Sequence, residues 1–351
     1  MTDLAVYGIS SEVFQLVSSL DFDHVTFIDE TLKIPTKIER NRMPNNLEQF
    51  LRHDISDIAS FSDSIGNATV VLFAPKVKRW GEDARGNMLS HVKEVAKLLK
   101  RGQYLVNMAP SEYGLNQEII RLVEALSGLR DGETINYAYA PIATEGKLEP
   151  YAGTAGGRVH DMLGITTSFG LNEAELMHFS SVIEKFTPKF LRASFPNLEG
   201  EYFIDELVRG TCDLNLIDRS FPRGSAIIMV AISFLKAIDA FLDELIITVK
   251  RKARELGYKT KHTNIKLLWD VDEYGLRGEG PYWKDAALQR LSESFARVDW
   301  LSYSDLKNVL VNSGIRKDDI LVACDRPTEE FLRKRGAGGN IIIAKTSAKT
   351  Y

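Results

Sequence analysis

Gly8-Ile9-Ser10-Ser11-Glu12-Val13 directly follows a short apolar run, LAVYG over residues 4–8, and its residue types and spacing point to ligand chemistry. A turn that seats a dinucleotide diphosphate has the spacing G-x-G-x-x-G. Its glycines let backbone amides approach the phosphates and let the following helix pack close. Only the first glycine of that pattern is kept here, with Ser10 and Val13 at the other two positions. Asp29 stands 21 residues after Gly8, at the end of the next apolar run, where an acidic side chain accepts hydrogen bonds from an adenine ribose. Gly8, Ile9, Ser10 and Asp29 are therefore candidates for holding an adenosine-containing ligand. For Asp29 the alternative is a strand-end cap.

Other segments carry chemistry-bearing side chains with two readings each. Residues 218–224, DRSFPRG, place Arg219 and Arg223 where two guanidinium groups meet a phosphate or carboxylate, or where charges pair in a capping turn. Residues 270–285 combine Arg277, Tyr282, Trp283, three glycines and several carboxylates, which suits ligand binding or an ordered contact. The basic run KRKAREL over 250–256 is an anion patch or a set of cations complementing a helix C-terminus. Asp325, Glu329 and Glu330 follow the apolar run ILVAC and suit a ribose or a helix first turn. Cys212 and Cys324 cannot build a disulfide framework, and neither they nor the six histidines show zinc spacing, so no metal is expected.

The elements that would position these residues read as α/β. Among the 351 residues, 44% are hydrophobic and 26% charged, as in folded globular proteins. The net charge of −4 gives no global positive field for nucleic acid or anionic lipid. No signal peptide is apparent, and the charge-free apolar stretch from Gly224 to Leu235 is too short for a bilayer, which needs roughly 20 residues. A reducing cytoplasm is expected. The runs LAVYG, HVTFID (24–29), TVVLFAP (69–75), QYLVNMAP (103–110) and TINYAYAP (134–141) alternate with helical stretches over 11–20, 87–100 and 115–127. That alternation predicts an N-terminal Rossmann-like doubly wound parallel sheet.

Residues 144–168, rich in glycine, read as irregular loop, and Asn172 with Glu175 form a capping-box spacing before a helix that ends near Pro188. Residues 225–256 lack Gly and Pro and predict a long central helix. The runs NIKLLWD (264–270), ARVDWLS (296–302), DDILVACD (318–325) and NIIIAK (340–345) predict a smaller C-terminal Rossmann-like domain. The expected domains are 1–170, 171–262 and 263–351.

Residues 69–75, 102–114 (GQYLVNMAPSEYG) and 127–146 (SGLRDGETINYAYAPIATEG) resemble the nucleotide-sugar dehydrogenases, NAD-dependent enzymes that oxidise UDP-glucose, GDP-mannose or UDP-N-acetylmannosamine. The resemblance implies NAD or NADP across Gly8, Ser10 and Asp29, with Ala74 and Pro75 beside the nicotinamide. It also implies a homodimer through the long helix and a C-terminal domain that helps hold the nucleotide.

The departures from that pattern narrow the chemistry. Met108-Ala109 replaces the family's Ser-Thr, and Pro141-Ile142-Ala143 replaces its Pro-Glu-Arg. Arg209 and Asp213 stand where the family's lysine and asparagine align; arginine keeps a cation but cannot shuttle a proton. Arg277 with Pro281 loosely matches a substrate-binding segment. The catalytic cysteine of a Gly-Gly-x-Cys loop has no counterpart between Gly224 and Ile315, so the thioester step of a four-electron oxidation is not expected. What remains is a two-electron hydride transfer on an anionic or nucleotide-linked substrate. The alternatives are an S-adenosylmethionine-dependent transferase and a non-catalytic dimeric binding protein.

Overall fold

Successive side chains of a strand point to opposite faces, and β1 (Asp3–Tyr7) sends Leu4 and Val6 into one apolar layer and Ala5 and Tyr7 into the other. Such a strand must be covered on both sides. In the computed structural model, which describes residues 3–52, 60–77, 82–142, 157–164, 169–193, 226–276, 279–306, 316, 319–335, 340–344 and 348–350, it is. β1 lies inside a six-stranded sheet with β2 (His24–Ile28), β3 (Pro35–Glu39), β4 (Val70–Phe73), β5 (Tyr104–Asn107) and β6 (Asn136–Tyr139). The order is β3-β2-β1-β4-β5-β6, and every pair is parallel except β2 with β3.

The layer under Leu4 and Val6 includes α1 (Ser11–Ser19) and α2 (Leu47–Leu51). The opposite layer takes α3 (Phe61–Gly66), α4 (Ala84–Ala96) and α5 (Leu115–Ser127). Val70, Leu72 and Ala74 join the first layer while Val71 and Phe73 join the second. The unbroken apolar run of β4 thus serves two cores, each fully buried Val or Leu contributing about 1.5–3 kcal/mol.

Three expectations are corrected. The glycine-rich stretch is not all loop, because α6 (Gly157–Leu163) forms inside it. The next helix, α7 (Leu171–Ala193), runs past Pro188, which removes one backbone donor without ending it. Asn172 and Glu175 do not form a capping box: both lie inside the helix, and the Glu175 carboxylate bonds elsewhere, as described below. The β2–β3 hairpin was not expected, because β3 opens with a proline and exposes Lys37 and Glu39.

The described residues form two compact units, the first holding residues up to Ser181 together with the short segment Tyr274 to Leu276. The second unit contains α8 (Ala226–Glu255), about 45 Å long at 1.5 Å per residue. It also contains a five-stranded sheet ordered β11-β10-β9-β7-β8. These strands are β7 (Asn264–Leu268), β8 (Arg297–Leu301), β9 (Ile320–Ala323), β10 (Asn340–Ala344) and β11 (Ala348–Thr350), and only the β10–β11 pair is antiparallel. Helices α9 (Gly280–Ser292) and α10 (Arg326–Arg335) belong to this unit. Arg290 ties α9 to α8 through Asp239 at 2.5 Å and Asp243 at 3.1 Å. Trp269 and Trp283 are buried, the Trp300 indole N–H donates to the Trp269 carbonyl at 2.8 Å, and Cys324 is buried behind β9.

Among the described glycines, Gly8 leaves the least room for a side chain. Its φ of +101° lies in the left-handed region that favours glycine, and a Cβ there would collide with the Ala74 carbonyl. Gly8→Ala is expected to destabilise the protein by about 1–3 kcal/mol from backbone strain and by a similar amount from overpacking, read as a lowered urea midpoint.

Candidate functional site

In parallel α/β sheets ligands bind beyond the carboxyl ends of the strands, at the point where strand order reverses. Here that point lies between β1 and its neighbours β2 and β4. Gly8 leaves β1 by donating its N–H to the Ile28 carbonyl at 3.0 Å, and Ala74 leaves β4 by donating to the Tyr7 carbonyl at 2.8 Å. This register sets Gly8, Ile9, Ser10, Asp29, Ala74 and Pro75 along one edge of the sheet. The other candidates, Arg209, Asp213, Arg219, Arg223 and Arg277, lie outside the described residues, as does Cys212.

Each residue of the first turn has a structural task. Ser10 is fully buried in extended conformation and caps α1, its Oγ accepting the Val13 N–H at 3.2 Å. Asp29 turns the chain into β3: its Oδ1 accepts the N–H groups of Thr31 at 2.8 Å and Leu32 at 2.6 Å. The strand-end cap is therefore realised in Asp29. Ala74 and Pro75 are buried beneath the edge.

Two carboxylates missed by the sequence reading stand at this turn. Glu30, only 6% exposed, accepts the Ile9 N–H at 3.3 Å and the Lys76 N–H at 3.4 Å. Glu12, 5% exposed in the first turn of α1, accepts the Leu276 N–H at 2.8 Å, while the Ser11 N–H donates to the Tyr274 carbonyl at 3.1 Å. Leu276 is buried in the first core layer, and the Lys76 ammonium sits 5.2 Å from the Tyr274 ring centroid. The only sequence signal for Glu30 was its place beside Asp29. For residues 274–276 it was the aromatic and glycine content of the 270–285 segment. Elsewhere in that segment, Lys284 pairs with Glu273 and with Asp285 at 3.2 Å and lies over the Trp300 ring. Asp325 caps α10 through the Thr328 N–H and holds the Asp270 N–H, both at 2.8 Å.

Beyond β5 and β6 the edge is apolar where the resemblance implies polar groups: Met108, Ala109 and Ile142 have no exposed surface. A buried polar network lies behind them. The Asn107 amide donates to Ser111 Oγ at 2.8 Å and to Asn116 Oδ1 at 2.9 Å, and the Tyr137 hydroxyl donates to that same Oδ1 at 2.6 Å. Glu175 closes the network, accepting the Gly114 N–H at 2.7 Å, the Asn116 N–H at 3.2 Å and the Asn116 side-chain amide at 2.6 Å. Burial raises the Glu175 carboxyl above its ordinary value, and these hydrogen bonds only partly oppose that. Burial likewise holds the Tyr137 phenol protonated as a donor.

On the second layer, the Tyr7 hydroxyl donates to Glu94 at 2.9 Å and also meets His91 Nδ1 at 2.8 Å and the Lys33 ammonium. Burial first, then Glu94, keeps Tyr7 protonated, while burial and Lys33 lower the His91 value. Burial pushes the Glu94 carboxyl up, but hydrogen bonds from Lys33 and Tyr7 outweigh it and hold it low. This cluster braces the hairpin turn at Lys33, whose φ is +57°.

Neither a protein-family model nor a curated protein matches the sequence. Solved structures match in fold. UDP-D-ManNAc dehydrogenase from Pyrococcus horikoshii is similar with a TM-score of 0.59 at 15% identity, over 98% of this chain and 95% of that one. UDP-glucose dehydrogenase from the archaeon Pyrobaculum islandicum gives 0.56 at 14% identity over 98% and 94%. NDP-N-acetyl-D-galactosaminuronic acid dehydrogenase from Methanosarcina mazei gives 0.50 at 13% over 98% and 90%. The chain has the fold of these dehydrogenases. Among the described residues no helix is long and apolar enough to cross a membrane.

At the ribose end of a dinucleotide the chain would offer Asp29, which lies next to Gly8 in the β1–β2 register with its Oδ1 already accepting the Thr31 and Leu32 amides. The diphosphate end is obstructed as the chain is folded, because the amides of Ile9, Ser11 and Val13 already have acceptors within the protein that a diphosphate would have to displace.

Glu175→Gln is expected to cost about 1–3 kcal/mol, because an amide NH2 would face a backbone donor. The pH dependence has a definite sign. The folded-state value lies above the ordinary 4.5, so the carboxyl's contribution is full below 4.5 and falls as pH rises through the raised value. Unfolding free energies of wild type and variant measured from pH 4 upward should therefore converge; a gap that widens with pH would contradict this account.

Proposed function

We propose that the protein is an oxidoreductase relative on the nucleotide-sugar dehydrogenase scaffold, binding an adenosine-containing ligand at the β1–β2–β4 edge. The observation that carries the reading is the juxtaposition of the Gly8 turn with Asp29 at the point where strand order reverses, within a fold matched over nearly the whole chain. The ligand the scaffold favours is NAD or NADP, and the chemistry stops at a two-electron hydride transfer on an anionic or nucleotide-linked substrate. Arg209 and Asp213 are assigned to the reacting carbon, and Arg277 with Arg219 and Arg223 to an anionic substrate group. These five assignments rest on the sequence. A soluble cytoplasmic setting suits them.

One observation favours a second reading. The engaged amides and the carboxylates of Glu12 and Glu30 suit a ligand without a diphosphate, such as S-adenosylmethionine bound for group transfer, or a non-catalytic binding role. A thermal-shift panel of NAD, NADP, S-adenosylmethionine and UDP-sugars separates these, since a ligand selective for the native state raises the melting temperature. Stabilisation by NAD or NADP, weakened in Asp29→Ala, is the expected result. A shift with S-adenosylmethionine alone would move the assignment to a transferase, and no shift with any of them to a binding protein.

The partner proposed for the long helix is a second copy of the chain. Met229 and Ile247 on α8 are 58% and 57% exposed, and Val230, Ser233 and Ala240 are also exposed along that helix. Light scattering is expected to give a dimer for the wild type and a monomer for Met229→Glu combined with Ile247→Glu. A monomeric wild type would remove the dimer.

A further inference from the structure

The first turn of a helix is an anion seat because its leading amides lack helical acceptors. In α1 those positions are Ser11, Glu12 and Val13. The Val13 amide is capped by Ser10, and the Ser11 amide is taken by the Tyr274 carbonyl. One residue earlier, the Ile9 amide is taken by Glu30. The segment Tyr274 to Leu276 is held in place from three sides: by the Ser11 amide, by Glu12 accepting the Leu276 N–H, and by Leu276 buried in the core. Lys76, whose backbone N–H donates to Glu30, carries its ammonium towards the Tyr274 ring. The amides of Ile9, Ser11 and Val13 are therefore bonded to the protein itself, and the nearly buried carboxylates of Glu12 and Glu30 flank the same turn.

We infer that Glu12 and Glu30, with the strap Tyr274 to Leu276, are the determinants of ligand choice in this unit: they fill the diphosphate seat from within and set how weakly a dinucleotide binds. This rests on the reading that the edge binds an adenosine-containing ligand. A diphosphate must displace the Tyr274 carbonyl from Ser11 and approach two carboxylates of its own sign, whereas a nucleoside without phosphates does neither. Like charges brought together in a partly desolvated site repel far more than in bulk water.

The test measures NAD, NADP and adenosine affinity by calorimetry for the full-length wild type, Glu12→Gln, Glu30→Gln and the double variant. Leu276→Ala, which loosens the strap without changing charge, is a separate route, and a cooperative melt with an unchanged circular dichroism spectrum checks each fold. The double variant is expected to bind NAD or NADP at least tenfold more tightly than wild type, a gain of about 1.4 kcal/mol, with adenosine affinity unchanged. A gain of threefold or more confined to the dinucleotides supports the inference. If wild type and variants bind the dinucleotides within threefold of each other, the inference is overturned while the adenosine-ligand reading stands. If no protein binds either the dinucleotides or adenosine, both fall.

Discussion

The approach of the Gly8 backbone to the Ala74 carbonyl is the constraint on which the carboxyl edge of the first sheet depends. Because the ends of β1 and β4 pass so closely, β1 must end at Tyr7 and turn at once. Ser10 then falls at the cap position, and α1 starts directly over the edge. The same register brings the end of β2 alongside, so that Asp29 turns the hairpin and Glu30 reaches across to Ile9 and Lys76. A side chain at position 8 would push β1 from β4 and displace all of these at once.

A common electrostatic pattern follows from this geometry. Helix N-termini carry partial positive charge and favour anions. A helix N-terminus left open can seat a phosphate or carboxylate. Here the chain supplies its own anions at three such ends. Glu12 lies in the first turn of α1, Glu175 reaches from α7 to the amides of Gly114, at the cap of α5, and Asn116, in its first turn, and Asp325 caps α10 in the second unit. Each arrangement stabilises the fold while satisfying amides that would otherwise need water or a ligand. The left-handed Gly114, at φ +80°, places its N–H where Glu175 can accept it.

The architecture was legible because it rests on periodicity. β4 and β9 are unbroken apolar runs, and strands buried on both faces require that pattern. β3 was not legible, since a hairpin opened by Pro35 and carrying Lys37 and Glu39 lacks the apolar alternation of a strand. The site was legible only where it is local. Ser10, Gly8 and Asp29 announce themselves by spacing along one loop or strand end. Glu12 enters the sequence reading only as a member of the Gly8–Val13 stretch, and its partner lies 264 positions away in sequence, a separation no local pattern encodes. Glu175 matched a capping box by spacing but is a buried acceptor by tertiary packing, which outweighs a local cap.

The indoles are distributed unevenly, and this gives the molecule a built-in optical probe. Trp269, Trp283 and Trp300 all belong to the second unit, where the first two are shielded from solvent and the third is fastened to the first through its ring N–H. Only Trp80 lies in the N-terminal half of the sequence. Ultraviolet emission therefore reports mainly on the second unit, whereas circular dichroism weights both. A mismatch between the two signals during unfolding would reveal that the halves come apart in separate steps rather than together.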